Sequence, residues 1–266
     1  MKKSKKDITD ELPVKKLTTQ MVWDELVLSD DVLRQIKKIE TWVLHRNKLM
    51  EEWGVGRFLK PGYKTLFYGP AGTGKTLTAA LLGKKTGREV FRIELSQVVS
   101  KYIGETEKNL SSLFDRAESK DWILFFDEAD AIFGKRTNVS DSHDRYANQE
   151  VSYLLQRILD YKGLVILASS KKENVDKTFL RRLQSIVHFS IPGPEERLKL
   201  WAKGFGNSAK HEAKIDLKKI AADYELSGGA IVNIIQHCIL DAMNRKERVI
   251  RYDDLMDGVK GEINKL

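Results

Sequence analysis

The chain is poor in the residues that build covalently or metal-stapled scaffolds. Among 266 residues it has one cysteine, Cys238, which cannot close an internal disulfide. Its five histidines show neither Cys/His zinc spacing nor an H-E-x-x-H helix, which argues against a fused zinc protease. Long apolar runs are also missing. The stretch Trp122–Phe126 is far short of the roughly 20 residues that span a bilayer, and Met1–Lys6 is not followed by the apolar region of a secretory signal. These absences place the protein in the cytoplasm, without a membrane partner.

What is present is the composition of a globular protein, with 41% hydrophobic and 32% charged residues. At roughly 150 residues per domain, the length predicts a large domain with a smaller one. The net charge of +8 admits nucleic acid, an acidic protein partner or plain solubility. Much of the local excess lies in Lys2–Lys6, followed by Lys15 and Lys16, and such a cluster reads as a solvated tail.

Residues 1–20 carry charge, little apolar periodicity and Pro13, and are expected to be a basic tail or linker stub. Ser29 is a candidate N-cap. After it Val32, Ile36, Ile39, Val43 and Leu44 recur at helical spacing, predicting an amphipathic helix to about Trp53. β-Favouring runs then appear at Thr65–Tyr68, Glu89–Ile93, Trp122–Phe126, Leu164–Ala168 and Ile186–Phe189, mostly separated by segments of helical composition. Strands alternating with helices predict an α/β fold, a five-stranded parallel sheet sandwiched by helices. Beyond Pro192 and Pro194 only helical patterns are read, at Leu198–Phe205, Leu217–Ala221 and Ile231–Met243. The expected division is therefore 1–20 tail, 21–192 nucleotide-binding α/β domain and 193–266 small helical domain.

The octapeptide Gly69-Pro70-Ala71-Gly72-Thr73-Gly74-Lys75-Thr76 matches G-x-x-x-x-G-K-[ST] between a predicted strand and a predicted helix. Glycines let backbone N–H groups converge on phosphate oxygens, Lys75 can reach the β- and γ-phosphates, and Thr76 can ligate Mg²⁺. Leu77 continues the segment into the helix. At the end of the run Ile123–Phe126 stand Asp127 and Glu128, the first suited to hold Mg²⁺ through water and the second to polarise an attacking water. Two acids at a strand's carboxyl end fit the place where α/β sheets bind ligands better than they fit core packing.

With both motifs, the chain resembles the AAA family of ring-forming ATPases from about Trp23 onward, the octapeptide and Asp127-Glu128 matching its Walker A and Walker B elements. The resemblance implies an ATP- and Mg²⁺-dependent hydrolase, and a homo-oligomer of six. Lys101-Tyr102-Ile103, before Gly104-Glu105-Thr106-Glu107, is similar to the family's peptide-gripping pore loop. Leu164 to Leu183 resembles the stretch that carries a γ-phosphate sensor and then the arginines presented to a neighbouring subunit, here Arg181 and Arg182. At the sensor this chain has Ser169-Ser170 where the family has Thr-Asn, which gives Ser170 a shorter reach and predicts slower hydrolysis. Leu226–Asn233 resembles the small-domain turn over the adenosine, through Gly229 and Ala230, and Val27 and Leu28 stand where relatives meet adenine. His143–Asn148 and Tyr153–Arg157 look most like stand-alone bacterial members, some of which accompany contractile injection systems, with Gly134–Arg145 near a pore or subunit seam.

The resemblance implies a motor that threads, unfolds or disassembles a protein substrate, selected by an adaptor or by a missing N-terminal domain. The net charge keeps open a nucleic-acid remodeller of initiator or loader type, although no DNA-reading module is recognisable. Ser170 alone favours a third reading, a slow nucleotide-switched scaffold.

Overall fold

A computed structural model describes residues 14–53, 55–59, 62–95, 97, 106–133, 142–206 and 210–265. The chain forms two compact units. The first gathers residues up to Trp23, Arg34–Gly69 and Lys75–His188, and the second Asp24–Leu33, Pro70–Gly74 and the chain from Phe189 onward.

The first unit is built on a sheet of β1 (Val14–Leu17), β2 (Tyr63–Tyr68), β3 (Val90–Glu94), β4 (Ile123–Asp127), β5 (Leu164–Ser169) and β6 (Ser185–His188), in the order β1-β3-β4-β5-β2-β6. The last five are parallel, as the alternation of strand and helix requires. The expected structureless tail is corrected at its end: β1 pairs antiparallel with β3, Val14 opposite Ile93 and Leu17 opposite Val90. Val14 is buried and Lys16 forms an ion pair with Glu89. A strand of four residues with two consecutive lysines shows no apolar alternation, and neighbouring β3 supplies the order that the local sequence does not.

Central strands are apolar on both faces, Ile123–Phe126 being wholly buried, because helices cover them. Along α3 (Thr106–Lys120), Leu110, Leu113, Phe114 and Ala117 repeat at helical spacing and join Leu124, Phe126, Val165 and Leu167 in one core. Helix α4 (Ser142–Asp160) packs beside α3 and adds Leu154 and Ile158 to that core. Helix α1 (Asp30–Glu51) starts after Ser29, whose Oγ accepts from the Val32 amide at 3.5 Å. Helix α2 (Lys75–Thr86) follows the phosphate-loop motif, and the short α5 (Lys177–Leu180) is capped by Asp176, which accepts from the Phe179 amide at 2.9 Å.

The second unit holds α6 (Pro194–Phe205), α7 (Leu217–Asp223), α8 (Gly228–Asn244) and α9 (Tyr252–Ile263), with strands β7 (Lys210–His211) and β8 (Val249–Ile250) paired in parallel. Its core is Trp201, Phe205, Ile220, Ile231, Ile234, Leu255 and Val259 among others. Both α9 and the β7–β8 ladder go beyond the three helices read from sequence. The ladder is two residues long on each side, too short to show a period. Helix α9 carries Asp253, Asp254 and Asp257 amid its apolar residues, and Asp254 is buried by an ion pair from Arg245 rather than exposed.

Candidate functional site

Strands β2, β5 and β4 are neighbours, so their carboxyl ends stand side by side, with Tyr68 in register with Ser169 and Phe126 with Leu167. This is the edge at which open parallel sheets bind ligands. The chain leaves β2 at Gly69, whose amide donates to the Ser169 carbonyl at 3.2 Å. Gly72 (φ +73°) and Gly74 (φ +98°) take left-handed conformations, and such turns of successive amides form anion-binding concavities. Thr73 closes the turn by donating from Oγ1 to the Pro70 carbonyl at 2.8 Å. Pro70, Ala71 and Gly72 are exposed, while Lys75, Thr76 and Leu77 are half-buried at the start of α2. Lys75 Nζ donates to the Gly69 carbonyl at 2.6 Å. Burial lowers the Lys75 pKa, and the charges of Asp127, the last residue of β4, and of Asp130 oppose that shift.

Asp127 ends β4 and Glu128 follows it, exposed and in a left-handed conformation (φ 54°, ψ 45°). That turn brings the Glu128 amide onto Asp127 Oδ1 at 3.0 Å. A non-glycine residue held there is strained, by about 1–2 kcal/mol, a cost found most often at functional sites. Asp127 Oδ2 accepts from Arg92 Nε on β3 at 2.9 Å, and the Arg92 Nη2 forms an ion pair with the same oxygen at 2.8 Å. Ser169 Oγ has two acceptors within reach of its one proton, Asp130 Oδ1 at 3.1 Å and the Lys171 carbonyl at 2.9 Å, and it accepts from the Lys171 amide at 3.3 Å. Ser169 is buried, and Ser170, the expected sensor, is exposed one residue past the strand.

In the second unit the Gly229 amide donates to the Gly72 carbonyl at 2.8 Å, and a Cβ on Gly229 would stand 3.0 Å from Gly72 Cα. Ser227 caps α8 by accepting from the Ala230 amide at 3.2 Å. Val27 and Leu28 are half-buried, and Leu28 and Leu26 lie beside Gly74, where an added Cβ would meet them at 3.6 and 3.8 Å. Arg181 and Arg182 are both exposed where α5 ends. Lys101, Tyr102 and Ile103, and most of Gly134–Arg145, lie outside the described residues.

The donors suit Mg²⁺. Thr76 and Asp127 offer oxygen ligands only, and among the described residues no three His, Cys, Asp or Glu side chains converge as a cage. Mg²⁺ is held in this sparse way, by one or two protein oxygens completed by phosphates and water. The glycine-rich turn and Lys75 suit a polyphosphate.

Residues 65–191 match the model of the ATPase family associated with various cellular activities (AAA). The chain carries an AAA-family domain. It is similar to a proteasome-activating nucleotidase of Methanopyrus kandleri, 29% identical over 245 residues that cover 89% of this chain and 55% of the relative. A 26S proteasome regulatory subunit 10B homolog A of Arabidopsis thaliana is 29% identical over 210 residues, covering 76% of this chain and 52% of the relative. Cell division protein C of Sulfolobus acidocaldarius is 32% identical over 181 residues, covering 64% and 48%. The chain thus spans about half the length of the curated relatives it matches. These relatives are archaeal and plant proteins, and they lend no support to the likeness to bacterial members.

Sequence reasoning passed over Arg92 and gave no role to Asp130 or to Ser169, which it read only as the neighbour of Ser170. Arg92 and Glu94 alternate with buried residues in β3, and two charges on one face of a covered strand signal a charged partner on the next strand. Asp130 was visible as the third acid of Asp127-Glu128-Ala129-Asp130.

Proposed function

We propose that this chain is a Mg²⁺-dependent ATP hydrolase that works in a ring, six-membered by resemblance, and pulls on a polypeptide. The observation that carries the reading is the pairing of two chemistries at one sheet edge. Lys75, at the head of α2, feels the charges of Asp127 at the end of β4 and of Asp130 after it, and Glu128 is held exposed by a strained turn. Backbone amides of 69–76 and Lys75 would bind the phosphates, and Thr76 and Asp127 would hold Mg²⁺, which supplies charge neutralisation at the transferring phosphoryl group. Glu128 would take the proton of the attacking water, a task for which passive nucleotide binding has no use. Gly229 and Ala230, with Val27 and Leu28, would border the adenosine, and Ser170 would reach the γ-phosphate.

Arg181 and Arg182 would complete a neighbouring subunit's site, where guanidinium groups stabilise the charge on phosphate. Tyr102, between Lys101 and Ile103, would grip the substrate in the pore. Relatives named as proteasome-activating nucleotidases and proteasome regulatory subunits support a protein load, selected by an adaptor or a further domain. Regarding location, no described helix is long and apolar enough to cross a membrane.

Hydrolysis and assembly measured on three variants test the reading. Glu128→Gln should keep Mg-ATP binding and lose about 100-fold or more in turnover. Arg182→Ala should lose turnover while still binding nucleotide, and Tyr102→Ala should lose substrate remodelling alone. An assembled wild type without turnover would point instead to a scaffold. Turnover stimulated by DNA in a salt-sensitive way would establish a nucleic-acid remodeller.

A further inference from the structure

We infer that Arg92 is a positioning residue for the metal-holding carboxylate: it fixes the orientation of Asp127 and so the direction in which the carboxylate meets the hydrated Mg²⁺. The inference rests on the reading of Asp127 as a Mg²⁺ holder. Two nitrogens of Arg92 converge on one oxygen, Nε and Nη2 both reaching Oδ2, while the other oxygen accepts from the Glu128 amide. Two of the roughly four acceptor positions of the carboxylate are thereby taken by hydrogen bonds, one on each oxygen, and the Nη2 ion pair at 2.8 Å holds the Oδ2 side against the guanidinium.

The clamp is itself braced. Arg92 Nη2 also lies 3.3 Å from Glu94 Oε1, and Glu94 is bonded in turn by the Gln97 side-chain amide. Glu94 stands in register with Asp127 across the β3–β4 ladder. Arg92 is two residues back along β3, so its side chain runs forward on the same face to reach Asp127. Lysine would not reproduce this, because one ammonium cannot present two fixed nitrogens to one oxygen.

A carboxylate hydrogen-bonded on each oxygen and ion-paired to a guanidinium is held against rotation, and it presents its free edge in one direction. That geometry suits an ion that keeps its water shell and needs orientation from the protein rather than enclosure. The guanidinium charge also repels a dication, so two effects of opposite sign act at this position. Orientation dominates in the wild-type arrangement, because Arg92 is already neutralised by Asp127 and Glu94, which leaves little net charge to repel Mg²⁺. Partners that orient a metal-binding group commonly account for 10- to 100-fold in metal affinity.

The test is Mg²⁺ titration of fluorescent ATP binding to the full chain, with affinity in EDTA measured in parallel. Arg92→Ala should raise the Mg²⁺ concentration at half-effect about tenfold and leave the EDTA affinity within about twofold. Arg92→Lys should fall between the two. A wild type with clear Mg²⁺ dependence and an Arg92→Ala variant that shares it would overturn the inference alone. So would equal losses with and without Mg²⁺, the mark of a merely structural contact, or a variant that needs less Mg²⁺. A wild type whose nucleotide affinity ignores Mg²⁺ would overturn the reading of Asp127 and the inference with it.

Discussion

Replacing Gly72 by alanine should cost more than backbone strain, and the excess should depend on Ser227. Gly72 has φ +73°, where an L-residue loses about 1–2 kcal/mol. Its new Cβ would also stand 2.6 Å from Ser227 Oγ and 3.2 Å from the Gly229 amide nitrogen. The second contact needs an adjustment of a few tenths of an ångström. The first must be relieved by turning the Ser227 side chain, and Ser227 Oγ is the N-cap of α8. Losing that cap adds about 1 kcal/mol, so Gly72→Ala should cost about 2–3 kcal/mol. Ser227→Gly removes the hydroxyl at a cost of a few tenths of a kcal/mol, since glycine is itself tolerated at an N-cap. In the double variant the Cβ meets no hydroxyl and no cap remains to be lost, so the two changes should fall short of additivity by about 1 kcal/mol. Urea unfolding of the four proteins measures this, followed by tryptophan fluorescence and circular dichroism, with Trp201 as the buried reporter of the second core. Losses that add to within about 0.3 kcal/mol would refute the reasoning, because they would show that the two side chains do not compete for one space.

Other perturbations test separate parts of the chain. Burial opposes ionisation of Asp254, but hydrogen bonds from Arg245 at 2.8 and 2.5 Å and from the Arg251 amide at 3.0 Å outweigh it and lower its pKa. That stabilisation is present above about pH 3.9, the unfolded value, and is lost as pH falls through the lower folded value. Asp254→Asn should cost about 2 kcal/mol at neutral pH, and its urea midpoint should converge on that of the wild type in acid; a constant gap would count against the ion pair. Burial, with the nearby charge of Asp254, pushes the Cys238 thiol up to about 12, so a thiol reagent at pH 8 should modify Cys238 only after unfolding. Rapid labelling of the native protein would contradict that burial. On the proposed sensor role, Ser170→Asn lengthens the side chain and should raise ATP turnover, and an unchanged rate would remove Ser170 from the site.

The parts of this chain that were legible in its sequence are those whose physics is local. Four buried residues in a row mark β4, glycines ahead of Lys75-Thr76 mark a phosphate loop, and Ser29 ahead of a helical apolar stripe marks the start of α1. Strand β1 was illegible because its order comes from β3: Val14 alone is buried, and Lys16 is satisfied by Glu89, distant in sequence. Buried Asp254 hid α9 for a related reason, since a charged residue is expected outside a core unless its partner is known. Arg92 shows the limit most clearly. Its spacing from Asp127 along the chain carries no information, and the two become neighbours only because a parallel crossover through α3 lays β3 beside β4. Sequence motifs therefore locate the groups that would touch the nucleotide, which cluster in short segments, while the groups that orient them are distributed by topology. It follows that a variant search confined to the motif residues would find losses of binding and hydrolysis. Changes in metal dependence should surface in β3, at Arg92 and its brace Glu94, outside both motifs.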